Sequence, residues 1–222
     1  MRTYIYIDAS NLFHGGVKSL GWHIDYQKFH DYLRTRYDAQ YIGYFGGVQI
    51  HKYPFSYLEH EHVSIDHLTS YYDELISLDN DSLSDTKLIL VNRYRNRAKF
   101  LRKLKSFGYS LYLKPIKTYI DDEGNKRIKA NCDIDMVYRM LMDIDQYDRI
   151  IFLSGDGDFL PILKHMRNKG KEVLIFARGN RTAKELKQFA GSMFIDFSNN
   201  LRSKIEQNDN EVRKVHTENG TD

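Results

Sequence analysis

The chain has 222 residues, of which 41% are hydrophobic and 28% charged, and its formal net charge of +3 is ordinary for a globular protein. No apolar run approaches the ~20 residues that a membrane-spanning helix needs, so we expect no membrane partner. The single cysteine, Cys132, excludes an internal disulfide and a cysteine-based zinc cluster, and together with the lack of a signal peptide it predicts a cytoplasmic protein.

The first half of the chain is predicted to open with a buried strand, followed by alternating helices and strands. "TYIYID" at 3–8 predicts that first strand, and Asp25 predicts the start of a helix over about 26–36. The other elements predicted here are a strand at 40–47, a helix at 62–78, a strand at 86–92, a helix at 94–107 and a strand at 109–117.

The second half continues the alternation after a hairpin, which the acidic-glycine pattern "YIDDEGNKRIK" predicts at 119–129. The predicted elements that follow are a helix from Asp133 to about 146, a strand at 150–154, a helix at 158–169, a strand at 172–177, a helix at 181–190 and a strand at 194–197. Strands that alternate with helices predict an α/β fold, with a mainly parallel central sheet and helices on both faces. The polar stretch 199–222 predicts a frayed helix and a disordered tail after a domain at 1–198.

Aspartates stand at three places where the predicted strands and helices meet. Asp8 ends the first strand, Asp133 and Asp135 open a helix, and Asp156 and Asp158 follow the strand "IIFL". Because the carboxyl ends of parallel strands share one edge of a sheet, these carboxylates are expected to converge. Converging carboxylates favour hard, oxygen-loving ions, chiefly Mg²⁺ or Mn²⁺, which activate water for attack on a phosphodiester. Each aspartate also has a simpler interpretation as a turn or helix-cap residue, which explains Asp135 and Asp158 equally well.

A basic stretch at 92–105 carries seven lysines and arginines and no acid. Such a stretch favours contact with RNA phosphates, and Tyr94 and Phe100 within it are suited to stacking on the bases of a single strand. The alternative is a solvated helix face, which is the usual role of a run of charges. The predicted RNA-binding residues are Arg93, Arg95, Arg97, Lys99, Arg102 and Lys103.

Three motifs taken together resemble one known family. "YIDASNLF", "CDIDM" before a helix, and "FLSGDGDFLPIL…GKEVLIFA" occur in order over about residues 3–198 and are similar to the NYN family, relatives of PIN-domain nucleases. The resemblance implies that 1–198 forms a PIN-like three-layer fold with metal-dependent ribonuclease activity. It also implies catalytic and metal-binding roles at the family's acidic positions and roles for two neighbours, namely Asp8, Asp133, Asp156, Asp158, Asn11 and Ser154.

Two features depart from the pattern of that family. A helix position that is often acidic in relatives, six residues after Asp133, is Arg139 in this chain. A segment at about 48–92 is longer than the connection that many relatives have, which suggests an added recognition or dimer surface and hence a homo-oligomer.

Three functions are compatible with these observations. The leading hypothesis is a Mg²⁺- or Mn²⁺-dependent ribonuclease that acts on single-stranded RNA. The second is an RNA-binding module with a catalytically weak acidic pocket, which Arg139 favours. The third is a metal-dependent phosphatase, although "DASN" after the first strand lacks the second acid of an aspartyl-phosphate D-x-D motif.

Overall fold

The structure of the protein is a computed structural model that describes residues 1–12, 20–78, 85–120, 126–130, 132–197 and 201–207. The strands are β1 (Thr3–Asp8), β2 (Ala39–Val48), β3 (Ser110–Pro115), β4 (Lys117–Ile120), β5 (Lys126–Lys129), β6 (Arg149–Leu153), β7 (Glu172–Ala177) and β8 (Phe194–Asp196). The helices are α1 (Ala9–Leu12), α2 (Tyr26–Tyr37), α3 (Ile65–Leu78), α4 (Asp85–Ser106), α5 (Asp133–Met142), α6 (Leu160–Asn168), α7 (Lys184–Ala190) and α8 (Arg202–Ile205). None of the described helices is long and apolar enough to cross a membrane.

Six strands form one sheet in the order β3-β2-β1-β6-β7-β8, and β4 and β5 form a separate antiparallel hairpin. The six-stranded sheet is parallel, as the pairing of β2 with β3 and of β6 with β7 and β8 illustrates. The predicted α/β fold with a parallel sheet and flanking helices is therefore confirmed, and so is the predicted hairpin. A parallel sheet aligns the carboxyl ends of its strands along one edge, where the loops after β1 and β6 begin.

Contacts divide the chain into two compact units. The first comprises Met1–Ile5, Asn11–Tyr41 and Asp145–Asp222. Its core includes β6, in which the four residues from Ile150 to Leu153 are fully buried, as a strand covered on both faces requires. Aromatic side chains extend this core, since the ring of Phe197 lies 5.5 Å from that of Phe29 between centroids. At the start of α2, the Asp25 side chain accepts a hydrogen bond from the Lys28 amide, which confirms the predicted cap.

The second unit comprises Tyr6–Ser10 and Ile42–Ile144. Its core contains a stack of three aromatic rings from β1, β2 and β3. The Phe45 ring lies 6.1 Å from that of Tyr6 and 4.5 Å from that of Tyr112, nearly parallel to both. Helices α3 and α4 pack on each other in this unit. The stack and the two helices bury the apolar surface that holds the unit together.

Helix α4 corrects one of the predicted elements. The segment 86–92, predicted as a strand, is instead the first part of this helix, which runs for 22 residues to Ser106. Its apolar run "LILV" does not have the burial of a covered strand, because Ile89 is 71% exposed whereas Val91 is buried. In the basic part of the helix, Leu101 and Leu104 are fully buried and form the face that packs inward.

The helix predicted at the start of the polar stretch is present as α8, but it is packed on α2 rather than frayed. Helix α8 packs on α2, and Leu201 and Ile205 are buried. The Ile205 carbonyl accepts a hydrogen bond from the Asp25 amide at 2.8 Å, and the Gln207 amide donates to the His23 carbonyl at 2.9 Å. Residues 208–222 lie outside the described residues, and the domain boundary at 198 stays a prediction.

Candidate functional site

Asp8 is a buried carboxylate at the end of β1, where only 4% of the residue is exposed. Its Oδ1 accepts hydrogen bonds from the Ser10 amide at 3.1 Å and from the Ser10 hydroxyl at 2.7 Å. Bonds to an ionised oxygen are among the stronger hydrogen bonds in proteins, and they offset part of the cost of burying the charge. The local turn thus fixes the carboxylate at the strand end, and Ser10 is a contributor that the sequence analysis missed.

The loop after β6 is shaped by a close approach of two backbones. A Cβ on Gly155 would lie 3.0 Å from the Arg181 carbonyl oxygen and from the Thr182 Cα, so no larger residue fits without a shift. The Gly155 carbonyl accepts a hydrogen bond from the Ala183 amide at 3.0 Å. Gly155 is therefore required by contact with the segment before α7, and the backbone between Ser154 and Asp156 is held in place.

Asp156 and Asp158 occupy different environments in that loop. Asp156 is half-buried, and its Oδ1 accepts from the Asp158 amide at 3.0 Å, which caps the short 3₁₀ turn Gly157–Phe159. Asp158 is exposed. The helix predicted to start at Asp158 instead starts at Leu160, after this turn, so the capping role considered for Asp158 belongs to Asp156.

Asn11 joins the loop after β1 to the loop after β6, and Ser154 bonds within the second of these loops. The Asn11 Oδ1 accepts a hydrogen bond from the Gly155 amide at 2.9 Å, across 144 residues of sequence. The fully buried Ser154 hydroxyl accepts from the Asp156 amide at 3.2 Å. Both side chains thus position backbone beside Asp156, which is a supporting role for two residues singled out in the sequence.

Three aspartates of the second unit surround the thiol of Cys132. Burial, followed by the negative charges of Asp135, Asp133 and Asp8, raises the pKa of the Cys132 thiol to about 12. A thiol with that pKa is protonated at neutral pH and is a poor nucleophile. Asp8 and Asp133 are far apart in sequence, but both lie close enough to Cys132 to raise the pKa of its thiol.

Asp135 and Asp143 each have a basic partner in the second unit. Asp135 lies 2.9 Å from the Lys114 ammonium and 3.8 Å from the His62 ring, whose pKa is lowered by burial. The buried Asp143 accepts from the Arg139 Nε at 2.8 Å and from the Tyr6 hydroxyl at 3.0 Å. Arg139, at the position that is often acidic in the family pattern, thus pairs with Asp143, the C-cap residue of α5 one turn further along the chain. Asp143 was missed in the sequence, although an arginine four residues earlier is a signal for such a pair.

Among the residues that the structure describes, no three histidine, cysteine, aspartate or glutamate side chains are grouped closely enough to hold a metal ion. Asp8 and Asp133 belong to the second unit, and Asn11, Ser154, Asp156 and Asp158 belong to the first. The convergence of the four predicted metal ligands stays a prediction. A set of oxygen donors without sulfur is suited to hard cations, and Mg²⁺ in particular is usually held by one or two carboxylates together with water and substrate phosphates.

The basic face of α4 is partly neutralised by α3. The Asp73 carboxylate lies 2.5 Å from the Arg95 Nε and 3.3 Å from the Lys99 ammonium. Arg97 donates to the Tyr44 hydroxyl at 3.3 Å, and its guanidinium lies 5.1 Å from the centroid of the Phe100 ring. The remaining predicted RNA-binding residues are exposed, namely Arg93, Arg102 and Lys103.

Comparison with known proteins gave one family and a small number of relatives. The model of the NYN domain matches residues 2–199. The low amplitude and bright protein LabA of Synechococcus elongatus is 34% identical over 110 residues, which are 49% of this chain and 58% of LabA. The chain thus spans little more than half the length of that relative.

Two solved structures are also similar. The crystal structure of a protein of unknown function, VPA0982 from Vibrio parahaemolyticus, has a TM-score of 0.53 at 17% identity, and the match covers 84% of this chain and 87% of that one. The crystal structure of the T5 D15 protein with metal ions has a TM-score of 0.44 at 16% identity over 84% of this chain and 59% of that one. At these identities the likeness to VPA0982 concerns the fold alone.

Proposed function

This chain belongs to the NYN domain family, and from that premise we propose that it hydrolyses phosphodiester bonds of RNA with Mg²⁺ or Mn²⁺ as cofactor. The observation that carries the proposal is the hydrogen bond that the Gly155 amide, after β6, donates to the Asn11 side chain, after β1. Each loop places an aspartate at or just after a strand end, Asp8 in one and Asp156 in the other, and Asn11 of the first bonds to Gly155 of the second.

The residues proposed to hold the cation are Asp8, Asp133, Asp156 and Asp158. The buried Asp8 and the half-buried Asp156 are the best suited to direct coordination, because their geometry is fixed by local hydrogen bonds. Asp133 and Asp158 are assigned to ligation through water. When bound, the cation would neutralise phosphate oxygens and lower the pKa of a coordinated water.

Asn11 and Ser154 are proposed to act through the backbone. Their side chains hold the amides of Gly155 and Asp156, and so keep the Asp156 carboxylate at the strand end. A misplacement of about 1 Å in such a group is enough to cost a large part of the rate.

The exposed cations of α4 are proposed to contact the phosphates of single-stranded RNA. Arg93, Arg102 and Lys103 are the main candidates, because Arg95 and Lys99 are already paired with Asp73. Contacts of this kind are independent of sequence and weaken with salt.

A second candidate function is RNA binding without efficient cleavage. It is favoured by Arg139, which stands at a position that is often acidic in relatives and pairs with Asp143. A phosphatase is the third, and its preferred substrate would be a small phosphomonoester.

One assay separates the three candidates. Labelled single-stranded RNA, single-stranded DNA of the same sequence and a generic phosphomonoester are each incubated with the protein in Mg²⁺, in Mn²⁺ and in EDTA. We expect RNA cleavage in either cation and none in EDTA. RNA binding without cleavage in any cation would establish the binding module, and turnover of the phosphomonoester alone would establish the phosphatase.

A further inference from the structure

Helix α5 exposes a face without any charge. All ten of its residues are described, and the four that are exposed are apolar: Ile134 at 75%, Tyr138 at 58%, Leu141 at 40% and Met142 at 60%. The opposite face is anchored in the core by the buried Met136 and Met140. A solvent-facing helix surface normally carries charged or polar side chains, so a continuous apolar stripe on it marks an interaction surface.

The stripe has the order that pairing with a second copy requires. Residues 134, 138 and 142 are four apart and lie on one side of the helix. If two copies pair antiparallel about a two-fold axis at Tyr138, Ile134 of one copy meets Met142 of the other, and Tyr138 meets itself. We propose that α5 forms a symmetric homodimer interface in which this stripe packs against its own copy.

The charges beside the stripe permit this pairing. Asp135 is paired with Lys114, and Arg139 is paired with Asp143, so each protomer balances these two flanking charges within itself. At these two positions the copies can therefore approach with little repulsion between like charges. In the antiparallel arrangement the positive end of each helix dipole also lies beside the negative end of the other.

The size of the stripe sets the expected strength of the dimer. Four side chains expose an area of a few hundred Å², which is enough to mark a functional patch. It is less than the ~800 Å² that each partner contributes to an interface of standard size, so we expect a weak dimer with a dissociation constant in the micromolar range.

Sedimentation velocity of the full chain, over a concentration series without RNA, tests the proposal. We expect wild type to shift from monomer to dimer and Tyr138→Lys to remain monomeric at every concentration. The matched control is Ile89→Lys, because Ile89 is an exposed apolar residue of α4 outside the stripe, and it should dimerise as wild type does. A wild type that stays monomeric, or a Tyr138→Lys variant that still dimerises, would overturn the proposal.

Cross-linking with a short bis-maleimide tests the two-fold axis itself. The buried Cys132, with its high pKa, should leave wild type unreactive as a blank. Tyr138→Cys should cross-link as a single variant, because its two copies face each other. Ile134→Cys should cross-link efficiently only when mixed with Met142→Cys. If Ile134→Cys alone cross-links as well as that mixture does, the antiparallel register is wrong.

Discussion

The loop after β6 and helix α4 are both densely charged, but their charges are held in different ways. In the loop, Asp156 is bonded by an amide two residues away and by backbone that Asn11 and Ser154 fix. On α4, Arg95 is paired with Asp73, 22 residues away on another helix. The loop therefore presents its carboxylate in one orientation, as the proposed catalytic role requires. Helix α4 instead uses part of its charge to attach to α3 and leaves only the remainder for the proposed ligand.

The largest expected effect concerns the aspartates at the two strand ends. Asp8→Asn and Asp156→Asn should each reduce cation-dependent RNA cleavage by at least about 100-fold, the scale on which loss of one preorganised electrostatic group acts. An asparagine can still accept the local hydrogen bonds, so we expect thermal unfolding to change little. Cleavage rates and melting curves, each with and without Mn²⁺, measure both effects.

The matched control for these variants is Asp135→Asn, which removes an aspartate of the same neighbourhood that is paired with Lys114. It should keep most of the activity. If both Asp8→Asn and Asp156→Asn cleave RNA at the wild-type rate, these aspartates act only as structural caps and the proposed site is refuted.

The rigidity of the loop can be tested at Gly155. Gly155→Ala forces a methyl group to within 3.0 Å of backbone at Arg181 and Thr182, and we expect a loss of about 1–3 kcal/mol in the free energy of unfolding. Asn96→Ala, at an exposed position of α4, should change the free energy of unfolding by less than about 0.5 kcal/mol. Urea denaturation measures the free energy of unfolding of both variants. Equal values would show that the loop moves enough to accommodate the added methyl group.

The division of charge on α4 predicts unequal effects on RNA binding. The double variant Arg93→Gln/Arg102→Gln should lower the slope of log affinity against log salt by about 0.7 per residue, as expected for single strands. Arg95→Gln/Lys99→Gln removes the same charge but should lower the slope less, because Asp73 already pairs with both side chains. Filter binding at several salt concentrations measures the slopes. Equal slopes for the two double variants would show that pairing with Asp73 does not keep Arg95 and Lys99 from contacting RNA.

The smallest expected effect is a pH dependence at His62. Burial lowers its pKa from the ordinary value of 6.5, with Asp135 acting in the opposite direction. Below pH 6.5, His62 therefore binds a proton in the unfolded chain but not yet in the folded protein. Stability falls as the pH drops from 6.5 through the folded pKa. His62→Gln should flatten that part of the curve. Denaturation of wild type and of His62→Gln at a series of pH values measures both stability curves. Curves that coincide would contradict this prediction.

Sequence patterns predicted well what local bonds determine. The strand "IIFL" and the Asp25 cap both depend on residues close in sequence, and the structure confirms both. The pairing of Arg95 with Asp73 could not be predicted in this way, because its partner comes from a separate helix.

Two predicted elements failed for physical reasons that the structure makes plain. The apolar run at 86–92 suited a strand by composition, but it continues into α4, and packing on α3 decides in favour of a helix. The segment 201–207 looked polar, yet Leu201 and Ile205 are spaced by four residues, which is enough for one helical turn to bury both.

That last segment has a consequence for the order of folding. Its bonds to the start of α2 include one from the Lys28 ammonium to the Glu206 carbonyl, across 178 residues. A ribosome must release residues 25–207 before this contact can form, and closing so long a loop costs entropy that only a finished core can offset. We therefore expect the α2–α8 contact to be among the last to form and among the first to open, and the Asp25 amide to exchange its hydrogen earlier than the amides of β6.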